Sequence, residues 1–478
     1  MVYKERIKSF LLLFLFVISI FLTRQLWIQI PYDIFPSFGR DEAISANFLF
    51  ADMIKPDKYQ LNFSEKNHTI FYSDENNDLW TNTRIILADI FSSNNIVMEE
   101  LSADEFSDYH KNRSIVFYFP EEFNTYILTR SLDIPEPNGI VDKISNIDKV
   151  YFYLGVGEPY IIFSNGDRNL KVYDPNLNLD NMKNRLKSIE DMDYTYYYPI
   201  RETLYVDNDI YIPFKMSKDI ATVYVENELN TDDIEEIRSI AEVFFKKDID
   251  YIREIIENNG SILYLYDQKV LKINQNGLLE YFSPLEELVK ERNLYISLNT
   301  ASEFLSNHMG VPRDLYLSKI EEIESEGNLG YRLTFKYRIR GIPVILSKDI
   351  AEDFIQIDVY NNYVRNYKRF IRRDMRINLN EVEETKPMLS TYEIINMKYP
   401  LLEKGYIEDN KLSLDLVDED NLKEEVLSSI KDVSLAYLDP CNNKQKEKLI
   451  GVWVLRVGNR TYAFDVYDGE LLFSKIDS

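Results

Sequence analysis

From Ser9 to Ile30 the chain is almost unbrokenly apolar, and this stretch constrains everything that follows it. Phe10 to Leu22 holds one polar residue, Ser19, and the continuation to Ile30 adds a single charge, Arg24. As a helix the segment reaches about 33 Å, enough for a hydrocarbon core of roughly 30 Å. The expectation is a transmembrane anchor over 9–30, preceded by a cytoplasmic tail over 1–8. Lys4, Arg6 and Lys8 lie before it against Glu5 alone, so the N-terminus stays in the cytoplasm and the bulk is extracytoplasmic. Arg24 reaches the outer headgroups and Trp27 suits the same interface. A cleaved signal peptide would need a small-x-small site after the apolar run, and Thr23 to Trp27 offers none.

Behind this anchor stands a globular composition, 45% hydrophobic and 14% aromatic in 478 residues, so the external part is expected to fold and not to form a disordered stalk. A net charge of -25 with no basic cluster argues against nucleic acid as a partner. Cys441 is the only cysteine, which excludes an internal disulfide and a four-cysteine zinc site. Packing has to supply the stability.

The pattern along the chain reads as α+β, with helix-plus-antiparallel-sheet modules. An N-terminal extracytoplasmic domain is expected over 31–205, starting from a stem at Tyr32 to Phe48. Strands are read at 67–72, 113–119, 150–154, 160–164 and 171–173, with a helix from Leu79 to Phe91. Asn165-Gly166 marks a hairpin. A tyrosine-rich seam, Pro199 to Pro213, leads to a central helix-hairpin domain over 206–295. There Asn230-Thr231-Asp232 caps a helix whose apolar stripe is Ile234, Ile237, Ile240, Ala241, Phe244 and Phe245. Strands at Ile262 to Tyr266 and in Lys269 to Phe282, turning at Asn276-Gly277, complete that domain. Helix-like Thr300 to His308 and Thr391 to Tyr399 each precede strands and a turn of the form Asp-Val-Tyr followed by Asn or Asp. A C-terminal domain over 296–478 is therefore expected to divide into two related modules, 296–380 and 385–478.

Enzymatic signatures are sparse. His68, His110 and His308 fall in no zinc-binding arrangement, and no nucleophile elbow or phosphate loop occurs. Gly155-Val156-Gly157 reads as a turn. Asp74 to Asp78 begins like a calcium loop, but Leu79 replaces its glycine and Ile85 its bidentate glutamate. The acid pairs Asp232 and Asp233, and Glu383 and Glu384, read as solvated charge, and Cys441 as a loop residue. His308, in Asn307-His308-Met309-Gly310, ends a helix, where a cationic ring would meet the negative dipole end, so a capping or hydrogen-bonding role is expected of it and not catalysis. The reading is a non-enzyme without cofactor or metal.

Three places carry a likeness to a known family. Leu22-Thr23-Arg24-Gln25-Leu26-Trp27 leaves the anchor ahead of Pro31. The Phe244-Phe245 helix leads to a hairpin ending in Leu279-Glu280-Tyr281. The third place is Asn307-His308-Met309-Gly310 with Tyr316, followed by Gly341-Ile342-Pro343-Val344. In these the chain resembles the YycH family, membrane-anchored regulators that act with the related YycI on the cell-wall sensor histidine kinase WalK, or YycG, of low-GC Gram-positive bacteria. It departs from the pattern at Met309, where glycine is expected, and at Val311, where an aromatic is. The resemblance implies a single-pass cell-membrane protein with a YycI-like C-terminal part. Its partners would be a WalK/YycG-like kinase and a YycI-like protein, and it would regulate by contact. Phe10, Phe14, Val17 and Phe21 lie on one helix face that could meet partner helices or lipid. His308, Gly341 and Pro343 are the external positions singled out, for interaction or as structural turns. A binding module for a wall fragment, or a wall hydrolase, is the alternative.

Overall fold

Alternating apolar strands between 58 and 213 assemble into one nine-stranded antiparallel sheet. In chain order its strands are β1 (Lys58–Asn62), β2 (His68–Phe71), β3 (Val97–Leu101), β4 (Ser114–Asn124), β5 (Asn146–Tyr153), β6 (Ile161–Ser164), β7 (Asn169–Tyr173), β8 (Tyr197–Pro199) and β9 (Tyr211–Pro213). They lie in the order β3-β7-β6-β5-β4-β1-β2-β8-β9. The computed structural model describes residues 50–477 apart from 74–78, 103–104, 107, 167, 209, 217–218, 348–352, 377–386, 413–418 and 442–444. The anchor, the stem, the calcium-like loop and Glu383-Glu384 lie outside the described residues. The described residues belong to one compact unit.

Fifteen strands form the second sheet. They are β10 (Val223–Asn227), β11 (Arg253–Ile256), β12 (Ile262–Tyr266), β13 (Lys269–Ile273), β14 (Leu279–Phe282), β15 (Leu315–Ser325), β16 (Asn328–Ile339) and β17 (Ile342–Leu346). The remainder are β18 (Ile355–Tyr360), β19 (Tyr363–Arg369), β20 (Arg372–Asp374), β21 (Ile430–Asp439), β22 (Lys446–Val457), β23 (Arg460–Asp465) and β24 (Leu471–Ile476). Strands read as a central and a C-terminal domain thus share one sheet, since β14 pairs with β19. Its path runs β11-β12-β13-β14-β19-β18-β16-β17-β21-β22-β10-β20, with β15 on β16, β23 on β22 and β24 on β23. Every strand pair in it is antiparallel except β17 with β21.

Six helices of ten or more residues occur among the described residues: α1 (Leu79–Ser92), α2 (Asp180–Glu190), α3 (Ile234–Phe245), α4 (Leu294–Asn307), α5 (Thr391–Asn410) and α6 (Glu419–Ser428). The architecture is α+β. No helix among the described residues is long and apolar enough to cross a membrane.

Local chemistry sets several boundaries differently from the sequence reading. Asp233, not the preceding triplet, caps α3: its carboxylate accepts from the Glu236 amide at 3.1 Å. Ile234, read as part of the stripe, is 43% exposed, because only Ile237, Ala241, Phe244 and Phe245 turn fully inward. The seam is ordered sheet, with β8 and β9 flanking a short helix, Ile200–Leu204. Helix α5 does not stop before Pro400 but continues to Asn410. Its first turn is fixed by a capping box between Ser390 and Glu393, and Leu402 and Gly405 are buried beyond the proline.

The two sheets are tied by polar links as well as by apolar packing. Lys58 pairs with Asp432 at 2.9 Å, and Arg338 donates to the Pro56 carbonyl at 2.7 Å. The Asn208 amide donates to the carbonyls of Leu427, Ser428 and Ile430.

Candidate functional site

The positions singled out in the sequence lie in separate places. Phe10, Phe14, Val17, Phe21, Arg24 and Trp27 are outside the described residues. His308 follows the last turn of α4, where its backbone N–H bonds to the Phe304 carbonyl. Its ring stacks on Phe304 at 4.0 Å and sits 4.8 Å from Phe244. Nδ1 is 2.9 Å from the Phe304 carbonyl, which makes Nδ1–H the donor. Burial holds the ring's pKa below the ordinary histidine value, and Lys246 and Lys269 push the same way. The ring is therefore a neutral core group that takes the capping, hydrogen-bonding role expected at the helix end, without the positive charge. Its neighbour Gly310 serves through its carbonyl, which accepts from Arg369 at 2.8 Å.

Gly341 belongs to a two-residue turn between β16 and β17, with Arg340 at φ 51° and Gly341 at φ 77°. Positive φ at both positions is what a tight hairpin with right-handed twist requires. A Cβ on Gly341 would also approach the Ser73 Cβ at 3.1 Å. Pro343 sits opposite Arg338 at the start of β17, which then carries the sheet across to β21. These residues shape the sheet.

The reactive groups are shielded. Cys441 is buried, and burial with the adjacent Asp439 carboxylate pushes its thiol up to about 12, so it is no nucleophile at neutral pH. His68 is buried, with Nδ1 2.7 Å from the Asn62 side-chain oxygen. Among the described residues no group of three or more His, Cys, Asp or Glu side chains is placed to hold a metal ion. A cleft lies where irregularities in β4 and β15 face each other, lined by Lys55, Phe119, Glu121, Phe123, Leu317 and Lys319. Its free space is about 30 Å³, room for a couple of waters.

On the other face of the first sheet a small aromatic core forms around a lysine: Tyr151 is fully buried and Tyr160 8% exposed, packed against Phe106 and Tyr109, with Tyr153 and Tyr173 half-buried at its rim. Across β4 to β7, Tyr151 and Lys171 flank Ile162 in one row, and Tyr153 and Tyr173 lie in the next with Tyr160 beside them. Tyr153 and Tyr160 stack at 4.6 Å with planes 7° apart. The Lys171 ammonium stands 4.4 Å from the Tyr160 ring centre and 4.9 Å from that of Tyr173, and donates to the Tyr109 hydroxyl at 3.1 Å. Burial drives the Tyr160 hydroxyl well above the usual tyrosine range, so that phenol stays neutral beside the Lys171 ammonium. Sequence reading placed these strands but missed their shared face. The signal was there in the alternation of Tyr151 with Tyr153 and of Lys171 with Tyr173.

Also missed were the buried arginines that pin the second sheet. Arg369 grips Glu228 through two bonds of 2.6 Å, and Arg372 bonds to Asp439 at 3.0 Å and to Asn227. Arg338 pairs with Asp314 and lies 4.0 Å over the Tyr316 ring. Glu228 lies 141 residues before Arg369, so no local pattern announces the pair.

No protein-family model matches the sequence, and no curated protein matches it. Two of the solved structures distantly similar to it are the following. An uncharacterized protein from Eubacterium rectale ATCC 33656 is 14% identical, with 59% of this chain and 94% of that chain covered and a TM-score of 0.35. The YpeB C-terminal domain from Bacillus megaterium is 14% identical, with 51% of this chain and 97% of that chain covered and a TM-score of 0.26.

Proposed function

We propose that the chain is a membrane-anchored, extracytoplasmic regulator of the YycH type. It would modulate a WalK/YycG-like sensor histidine kinase by contact and act beside a YycI-like protein. The observation that carries this reading is the apolar segment from Ser9 to Ile30 with basic residues ahead of it, joined to the motifs at Leu22 to Trp27 and Asn307 to Gly310. The shielded Cys441, His68 and His308 fit a protein that works through surfaces. In mechanism, the anchor packs beside the kinase's own spans and biases its two signalling states, which requires different contacts with each.

Replacing Phe10 to Leu22 by an unrelated apolar span of equal length tests this. Output of a kinase-controlled reporter is expected to change as it does when the whole chain is deleted. Unaltered output would remove the transmembrane mechanism. A zymogram of the purified chain that clears a cell-wall gel would overturn the non-enzyme reading.

The half-exposed Tyr153 and Tyr173 at the rim of that aromatic core favour a second reading, an extracytoplasmic module that holds a cell-wall fragment. Tyr153 and Tyr173 are half-exposed and offer ring area to a sugar face, held in place by the buried Tyr160 and by Lys171, whose side chain is 12% exposed. Retention on insoluble wall material should fall when Tyr153 and Tyr173 are both changed to Ala, and retention equal to wild type would end this reading.

A further inference from the structure

The second sheet uses one unit three times, a helix followed by a four-stranded meander. The first is α3 with β11 to β14, the second α4 with β15, β16, β18 and β19, and the third α5 with β21 to β24. Units one and two are joined last strand to last strand, β14 against β19, with Tyr281 directly opposite Tyr367. Their helices meet above that seam. Phe244 and Phe304 each stand eleven positions after their N-caps, Asp233 and Asn293 (244 - 233 and 304 - 293). Phe244 lies 5.2 Å from Tyr281 and Phe304 5.1 Å from Tyr367, while the crossed distances are 6.1 and 6.0 Å. The four rings obey a near two-fold axis through the seam.

Unit three has the same parts without the second half. Among the described residues β24 pairs with β23 alone. The eleventh position after the Ser390 N-cap is Leu401, half-buried, and one turn earlier Met397 is 52% exposed. Met397 hangs over the turn that opens β24, since a Cβ on Gly469 would lie 3.6 Å from its terminal methyl. The opposite flank of α5 is already covered: Tyr392 packs on Phe214 at 4.4 Å, and Tyr399 and Tyr406 face Lys423 and Glu425 of α6.

We propose that β24 and the α5 flank bearing Met397 and Leu401 form a dimer contact that takes the same face of a second copy of this chain. A strand edge is an open hydrogen-bonding template. An arrangement of last strand on last strand and helix beside helix about a two-fold axis is self-complementary, so one copy carries both halves of it. Units one and two already realise that packing within the chain. The inference stands apart from the kinase reading, because it rests on repeated geometry and not on the anchor.

A cysteine scan from Leu471 to Ile476 in the full chain, under mild oxidation in intact cells, tests it. Buried Cys441 stays silent. Strands paired about a two-fold axis bring the thiols together at one position only. Each step away separates them by about 7 Å, twice the strand rise, beyond disulfide reach. A disulfide-linked dimer with a single maximum along β24 is therefore expected. Adding Met397→Glu at the peak position should lower the dimer yield about tenfold, and Arg253→Cys on the β11 edge should stay monomeric. The proposal is overturned if no position crosslinks, if yield is flat along the strand, if a different polypeptide is captured, if Arg253→Cys dimerises as well, or if Met397→Glu changes nothing.

Discussion

Arg369 is 2% exposed and spends its guanidinium on Glu228, the Gly310 carbonyl and the Tyr367 hydroxyl. Its partner Glu228 is 9% exposed, with Arg373 at 3.9 Å as a second cation. Removing the arginine would strand a carboxylate in the interior, and breaking such a pair costs about 3–5 kcal/mol. Arg369→Leu is therefore expected to lower the urea midpoint sharply, and Arg369→Leu with Glu228→Gln to recover part of the loss, because the orphan charge is gone. A single variant as stable as wild type would contradict the assignment. His308 gives a pH-dependent counterpart. Burial holds its folded pKa below the unfolded value, so at low pH the unfolded chain binds a proton that the folded chain refuses. Its share of stability is complete above about pH 6.5 and shrinks as the pH falls below that. His68 acts in the same sense, so the comparison has to be between variants. Wild type should lose more stability than His308→Gln between pH 7.5 and 5.5 in urea titrations, and parallel losses would mean the ring is not linked to folding.

At the scale of elements, turns are where backbone chemistry decides. Gly166 has φ 82° with nothing within 4 Å of a would-be Cβ, whereas Gly341 has φ 77° and meets Ser73 at 3.1 Å. Left-handed backbone alone costs an L-residue about 1–2 kcal/mol. Gly341→Ala should therefore exceed Gly166→Ala in destabilisation, as read by thermal midpoints, and the reverse order would remove the Ser73 contact from the account. Such turns are also why much of the fold was legible in the sequence. Asn165-Gly166 and Asn276-Gly277 close the β6–β7 and β13–β14 hairpins, because positive φ is a local demand that few residues meet. The inner stripe of α3 was legible for the same reason, local periodicity. What escaped depends on distant partners. The sequence Ile355-Gln-Ile-Asp-Val-Tyr360 is a strand buried along its whole length, tolerable because Arg332 takes the Asp358 carboxylate at 2.8 and 3.0 Å. Pro400 reads as a stop, yet α5 passes through it because Leu402 and Gly405 are buried beyond it. The candidate surfaces were less legible still: the tyrosine face needs four strands in register, and the face of unit three needs a comparison with units one and two.

For the whole molecule, the question is whether two sheets made from successive halves of the chain unfold as one. The links between them are buried or half-buried: Lys58 with Asp432, Arg338 with the Pro56 carbonyl, the Tyr72 hydroxyl with the Leu435 amide, and Asn208 with three carbonyls that end α6 and begin β21. Opening either sheet alone would strand these groups without partners, at about 1–3 kcal/mol for each buried donor or acceptor. Separate unfolding is therefore costly, and one cooperative transition is expected. The chain carries its own reporters. Trp80, beside Phe117 and Phe119, reads the first sheet, and Trp453, donating to the Leu389 carbonyl, reads the second. In a Trp27→Phe background, variants keeping only Trp80 or only Trp453 should give coincident fluorescence midpoints in urea. Asn208→Ala should then move both midpoints down together, because its three acceptors bridge the sheets. Two midpoints that separate, or an Asn208→Ala shift confined to one tryptophan, would mean that each sheet holds itself and that a signal at one could not reach the other through the folded core.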